Sequence, residues 1–129
     1  MDTRTKIVSR EAALETARQA RAAGKRVKLV LGYFDPLLAG HARRLREIGA
    51  PASVLIAAIR EPERPILAAR ARAELVAALC VVDCVILAEA SASDDFLEDL
   101  CPDEIYREES ADERRTRDLI LHVQSRHIA

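Results

Sequence analysis

Short apolar runs separated by longer amphipathic stretches constrain this chain more than any other feature. The clearest run is Ser53 to Ile59, SVLIAAI. Unbroken apolar sequence of that length, with no polar alternation, marks a strand covered on both faces, as in the interior of a parallel sheet. RVKLVL (Arg26 to Leu31), CVILA (Cys84 to Ala88) and EIYR (Glu104 to Arg107) read as three further strands. Between them lie helical patterns. Ser9 is a natural cap, with Glu11 in the first turn. Ala13, Leu14, Ala17 and Ala20 then recur at helical spacing, and Gly24 supplies the stop. A second helix spans Ala39 to Ile48, with Leu38, Ala42, Leu45 and Ile48 or Gly49 on its apolar face and Arg43, Arg44, Arg46 and Glu47 in water. After the proline-broken loop Arg60 to Pro65, a third helix covers Leu67 to Leu79. Ser91 to Leu100 reads as a short capped helix ended by Cys101-Pro102, and Asp112 to Val123 as the last. Strands alternating with helices of this length imply βαβ crossovers. The predicted class is α/β: a Rossmann-like three-layer α/β/α sandwich on a parallel sheet, with residues 1–129 forming one domain.

Composition narrows the function classes. Lysine and arginine number 20 against 21 acidic residues, so the net charge of −1 offers no electrostatic case for nucleic acid or an anionic membrane. The greasiest stretch, Leu75 to Ala88, is interrupted by Asp83 and falls short of the ~20 residues a membrane span needs. MDTRTKIVSREAA carries no apolar signal core, so the expected location is cytoplasmic. Cys80, Cys84 and Cys101 form no C-x-x-C pair, which argues against zinc. Cys80 and Cys84 are expected to pack as small hydrophobes. A phosphoacceptor receiver domain shares the fold class but needs an acidic pair after the first strand and an aspartate ending the third, and neither is present.

In open parallel sheets, ligands bind beyond the carboxyl ends of the strands. There the chain reads VLGYFDPLLAGHARRL, Val30 to Leu45. A helix N-terminus offers unpaired N–H groups and partial positive charge, which together favour an anion. Gly32 and Gly40 leave room for one against the backbone, and His41 can donate a hydrogen bond or carry a proton.

GYFDPLLAGHARRL resembles the G-x-F-D-x-x-H-x-G-H signature of the cytidylyltransferase-like nucleotidyltransferases, and within them the adenylyltransferase domains of ADP-heptose synthases. KIVSREAALETARQARAAGKRVKLVLGYFD is similar to that family's first helix and strand. RPILAARARAELVAALCVVDCVIL and LCPDEIY match later segments, so the likeness runs from Lys6 to about Tyr106. The resemblance implies transfer of a nucleotidyl group from ATP or CTP to a sugar phosphate, with pyrophosphate leaving and Mg²⁺ as usual cofactor. Positioning and charge stabilisation then do most of the work. It further implies His41 as the catalytic residue, and Gly32, Tyr33, Phe34, Asp35, Gly40, His41 and Arg72 around the nucleotide. Arg64 and Asp83 fall on the substrate side, no protein metal ligand is assigned, and the implied assembly is a homodimer.

Departures from the pattern point to impaired catalysis. Leu38 stands where the signature has its first histidine, Leu31 where a polar residue precedes the first glycine, and Leu67 where asparagine follows R-P. Arg107-Glu108-Glu109-Ser110 replaces Lys-Gly-Gly-Asp, and two carboxylates there would repel a triphosphate. Only Thr116 remains of a late serine- and threonine-rich motif. Plainer roles stand beside these. Asp35 can organise its loop, Arg72 can share a solvated basic face with Arg70, and Arg64 can simply be exposed. Asp83 can be a turn residue, His122 and His127 solvated, and Glu108, Glu109, Asp112 and Glu113 an acidic loop surface. Three functions follow: a nucleotide-binding protein with impaired transfer, an active transferase with a modified site, or a non-catalytic interaction module.

Overall fold

The computed structural model describes residues 1–87 and 94–128, the side chains of Asp94, His127 and Ile128 excepted. Its strands are β1 (Arg26–Gly32), β2 (Ser53–Ile59), β3 (Cys84–Ile86) and β4 (Glu104–Arg107). The helices are α1 (Arg10–Ala22), α2 (Ala39–Ile48), α3 (Ala69–Ala77), α4 (Asp94–Leu100) and α5 (Glu109–Ile128), with a 3-10 turn at Thr3–Lys6 before them. All strand pairs are parallel, in the order β3-β2-β1-β4. The α/β reading therefore holds.

The apolar runs are buried on both sides. Leu29, Leu31, Ile56, Ala58 and Ile86 face α1 and α4, packing on Ala13, Ala17, Ala20, Phe96 and Leu100. Val30, Leu55, Ala57, Ile59 and Val85 face α2 and α3, meeting Leu45, Ile48, Ala73, Val76 and Ala77. The three alanines of α1 let that helix lie close on the sheet. Ser9 Oγ caps α1 by accepting from Ala12 N–H, and Gly24 takes the left-handed φ of 75° that turns the chain into β1.

α2, β2 and β4 have the bounds the sequence predicts. α3 and β3 are shorter at their ends, and Ala88 and residues 91–93 of the expected capped helix lie outside the described residues. α5 begins three residues earlier than expected and continues to Ile128. Its side chains from Leu121 to Arg126 are exposed, so helical hydrogen bonding rather than an apolar stripe defines that part. Cys84 is buried, but Cys80 is exposed, correcting its expected place in the interior. No described helix is long and apolar enough to cross a membrane.

The topology places the site. From β1 the chain steps through β2 to β3, then returns to place β4 on the other side of β1. The order reverses between β1 and β4, and a crevice opens at such a switch point beyond the strand ends. Glu108 N–H donates to Leu31 O and Arg60 N–H to Gly32 O, extending the ladders to the rim. α5 starts there and lies across the opening.

Candidate functional site

The β1–α2 turn carries most of the residues singled out in the sequence. After Gly32 the chain passes Tyr33, then Phe34 in the left-handed region (φ 49°), then a cis Asp35-Pro36 bond. A bulky residue at positive φ is uncommon and is held there by its surroundings. Phe34 is buried against the His41 ring, with centroids 5.5 Å apart. This geometry points the Tyr33 and Phe34 N–H groups the same way. Both donate to Asp112 Oδ2, at 2.8 and 3.3 Å.

Asp112 is the centre of the site. It is fully buried in the first turn of α5, which corrects its expected place on an acidic loop surface. Its Oδ1 accepts from Arg115 Nη1 at 2.9 Å. The same oxygen stands 2.9 Å from His41 Nε2. That nitrogen nevertheless makes no aligned hydrogen bond. A Cβ on Gly32 would come within 2.5 Å of Asp112 Oδ2, so the carboxylate lies directly on the glycine. The corner between Gly32 and His41, predicted to receive a phosphate, is filled by a carboxylate of the chain itself.

His41 is 1% exposed and forms part of the buried face of α2, where the sequence placed Ala42. Leu38, the residue before α2, has no side-chain cap to offer. Its own N–H instead donates to His41 Nδ1 at 2.9 Å. With Nδ1 accepting, the ring N–H lies on Nε2, facing Asp112. Gly40 sits beside Arg115, whose Nε would lie 3.4 Å from an added Cβ.

The other candidates hold the loops together. Asp35 is buried, and its two oxygens accept from Ile66 and Leu67 N–H at 2.7 and 2.8 Å. Thr116 Oγ1 donates to Asp35 O. Arg72 is fully buried, which overturns the solvated basic face. Its guanidinium donates to Leu67 O, Tyr33 O and Arg60 O and pairs with Glu61 at 2.9 Å. Arg72 thus stands under the same turn but faces carbonyls. Asp83 is not gathered with them. It precedes β3 at the opposite edge of the sheet, and its carboxylate accepts from Leu55 N–H.

Sequence reasoning missed the cleft beside this cluster. A cavity of about 550 Å³ is lined by Tyr33, Asp35, Pro62, Glu63, Arg64, Glu113, Thr116, Arg117, Ile120 and Leu121. Burial, then the carboxylates of Glu113 and Glu109, raise the Tyr33 hydroxyl above its ordinary pKa, so it stays a neutral donor in this wall. Glu109 is half-buried, with a buried Oε1 that has no partner. Glu108 is also no loop residue in water: it accepts from Arg44 at 2.7 Å, and that bond raises the Arg44 pKa. Glu113 is exposed, as expected. His122 is exposed too, while the His127 side chain lies outside the described residues. Among the described residues, no group of three or more His, Cys, Asp or Glu side chains converges to hold a metal.

Comparison with known proteins agrees with the motif reading. The chain is 36% identical over 91 residues to the bifunctional protein HldE of Magnetococcus marinus, covering 64% of this chain and 19% of that one. With the HldE proteins of Acidiphilium cryptum and Halorhodospira halophila it shares 31% over 111 residues and 32% over 110. Those matches cover 79% and 78% of this chain and 23% of each relative. No protein-family profile matches. The chain is thus related to one segment of the HldE proteins and spans about a fifth of the length of these curated relatives.

Proposed function

We propose that this chain is a nucleotidyltransferase-fold protein that binds a nucleotide, ATP or CTP, beside the β1–α2 turn, and that its capacity for transfer to a sugar phosphate is impaired. One observation carries the reading. At the switch-point crevice a cleft of nucleoside size remains, while the side chains that would handle phosphate are held by the fold. Tyr33, Pro62, Ile120 and Leu121 offer apolar surface for a base, and Arg64 and Arg117 offer cations for a phosphate. Glu63 and Glu113 in the same wall work against a full triphosphate charge.

Transfer requires a sugar-phosphate oxygen to attack the α-phosphorus as pyrophosphate departs. Charge on the leaving group must then meet preorganised donors. The Leu38 side chain has no donor to offer, His41 Nδ1 is held by the Leu38 N–H, and Arg72 is held by three carbonyls. Loss of one such group commonly costs ~10²–10³ in rate. The donor set does not fit a resident magnesium ion, since the Asp35 and Asp112 carboxylates are both turned onto backbone N–H groups.

Thermal melts with ATP, CTP and their monophosphates test binding, since ligand at 100 times Kd adds ~2.7 kcal/mol to the folded state. No shift with any of them at millimolar concentration refutes binding. Rapid pyrophosphate release from ATP or CTP with a sugar phosphate refutes impairment. A second reading, an interaction module that forms a homodimer, is favoured by Ile120 and Val123, exposed one turn apart on α5. A monomer by light scattering removes it.

A further inference from the structure

We propose that the Asp112 carboxylate is a built-in competitor for a phosphoryl group: it occupies the anion cradle at the end of β1, and a pyrophosphate-type ligand enters only where that carboxylate is absent or withdrawn. The inference rests on the nucleotide reading above and assigns the regulation of that same site. Donors from three elements converge on two oxygens. Tyr33 and Phe34 N–H come from the turn, His41 Nε2 from α2 and Arg115 from α5 itself. Consecutive N–H groups, a helix N-terminus and a guanidinium are the means by which proteins hold phosphate. Gly32 lets the anion rest against the chain, as close as 2.5 Å to where a Cβ would stand.

The fit is incomplete in an informative way. His41 Nε2 is buried, stands 2.9 Å from Asp112 Oδ1 and still lacks a hydrogen bond. The Asp112 oxygens have lone pairs to spare, so the shortfall is one of aim: held by the turn and by Arg115, Oδ1 stands close to Nε2 but out of line with it. A tetrahedral phosphoryl group presents its oxygens in more directions, one of which can accept from Nε2. The cradle thus has one donor that its present occupant leaves unaligned.

The test uses the full chain with inorganic pyrophosphate, which has no base and does not depend on the cleft. Wild type, Asp112→Ala and Asp112→Asn are compared by calorimetry, by thermal melts and by histidine ¹⁵N spectra. Asp112→Ala is expected to bind pyrophosphate about tenfold or more tightly than wild type, with the His41 Nε2 resonance moving on binding. Adding His41→Gln to Asp112→Ala should remove the gain. If Asp112→Ala unfolds alone, pyrophosphate should restore its folded transition, and failure to do so counts against the proposal. Equal affinity in wild type and the folded variants overturns it, as does tight wild-type binding that shifts His41. A cleft that ignores nucleotides leaves the pyrophosphate result standing, so the two readings fail separately.

Discussion

Replacing Arg72 with methionine separates a structural arginine from a phosphate-facing one. Methionine keeps the stem that crosses the interior beside α3 and deletes the guanidinium. Three carbonyl acceptors lose their donor: Leu67 O at 3.0 Å, Tyr33 O at 3.1 Å and Arg60 O at 2.8 Å. An acceptor stripped of its partner costs ~1–3 kcal/mol, and these loops are half-buried, so the lower end applies to each. Glu61 is half exposed, and its pairing adds little. The expected loss is about 3–5 kcal/mol, a large part of the ~5–15 kcal/mol available to a domain. Arg72→Lys, which keeps a charge but not the fork, should lose about half as much. Urea unfolding at constant m measures both. A loss below about 1 kcal/mol for Arg72→Met, with the ATP-induced melting shift abolished, would refute the structural assignment and return Arg72 to the ligand.

Other perturbations have equally definite outcomes. Asp35→Ala strips the acceptors from two N–H groups ahead of α3 and should cost about 2 kcal/mol in urea; a neutral result would show that water replaces the carboxylate. Gly32→Ala drives a Cβ against Asp112 Oδ2 and the Phe34 ring and should cost ~1–3 kcal/mol. Combined with Asp112→Ala it should cost less than the sum of the two, and strict additivity in the cycle would contradict the contact. Burial pushes the Cys84 thiol from its ordinary 9.0 up to about 12. The folded chain keeps that proton after the unfolded chain has lost it, so the stabilisation is complete below pH 9 and is lost as pH rises towards 12. At ~1.4 kcal/mol per pH unit the loss is at most about 4 kcal/mol. Cys84→Ala should flatten the alkaline limb of a stability–pH curve, and an unchanged slope would disprove the origin assigned to it.

The sheet was legible because burial on both faces leaves a one-dimensional trace. Ser53–Ile59 could hardly be anything else, and Ala39–Ile48 followed from Leu45 and Ile48 in phase behind a glycine-bearing start. The length of α5 was not legible, since its second half has no apolar face against the body and so no periodicity to read. His41 was recognised as the pivotal residue of its turn but not as buried. An imidazole packed on Phe34 leaves no sign in a hydrophobicity pattern. Arg72 misled for the opposite reason: an arginine on a helix reads as a solvated side chain, and only the fold brings Tyr33, Arg60 and Leu67 carbonyls around it.

Asp112 shows where a local reading ends. Its neighbours Glu108, Glu109 and Glu113 make it look like one charge among several in water, yet two of its donors, Tyr33 N–H and Phe34 N–H, are 79 and 78 residues away in sequence. The usable signal was positional: an acid in the first turn of the helix that crosses a switch point must face whatever the strand ends expose. Those ends expose N–H groups and a histidine, donors that need an anion whether or not a ligand is bound. An unfilled cradle would leave several polar groups buried without partners, at ~1–3 kcal/mol each. A carboxylate of the chain's own in that corner supplies the anion those donors need. The same contact that stabilises the empty fold must then weaken its ligand. The Asp112 variants should therefore move stability and anion affinity in opposite directions.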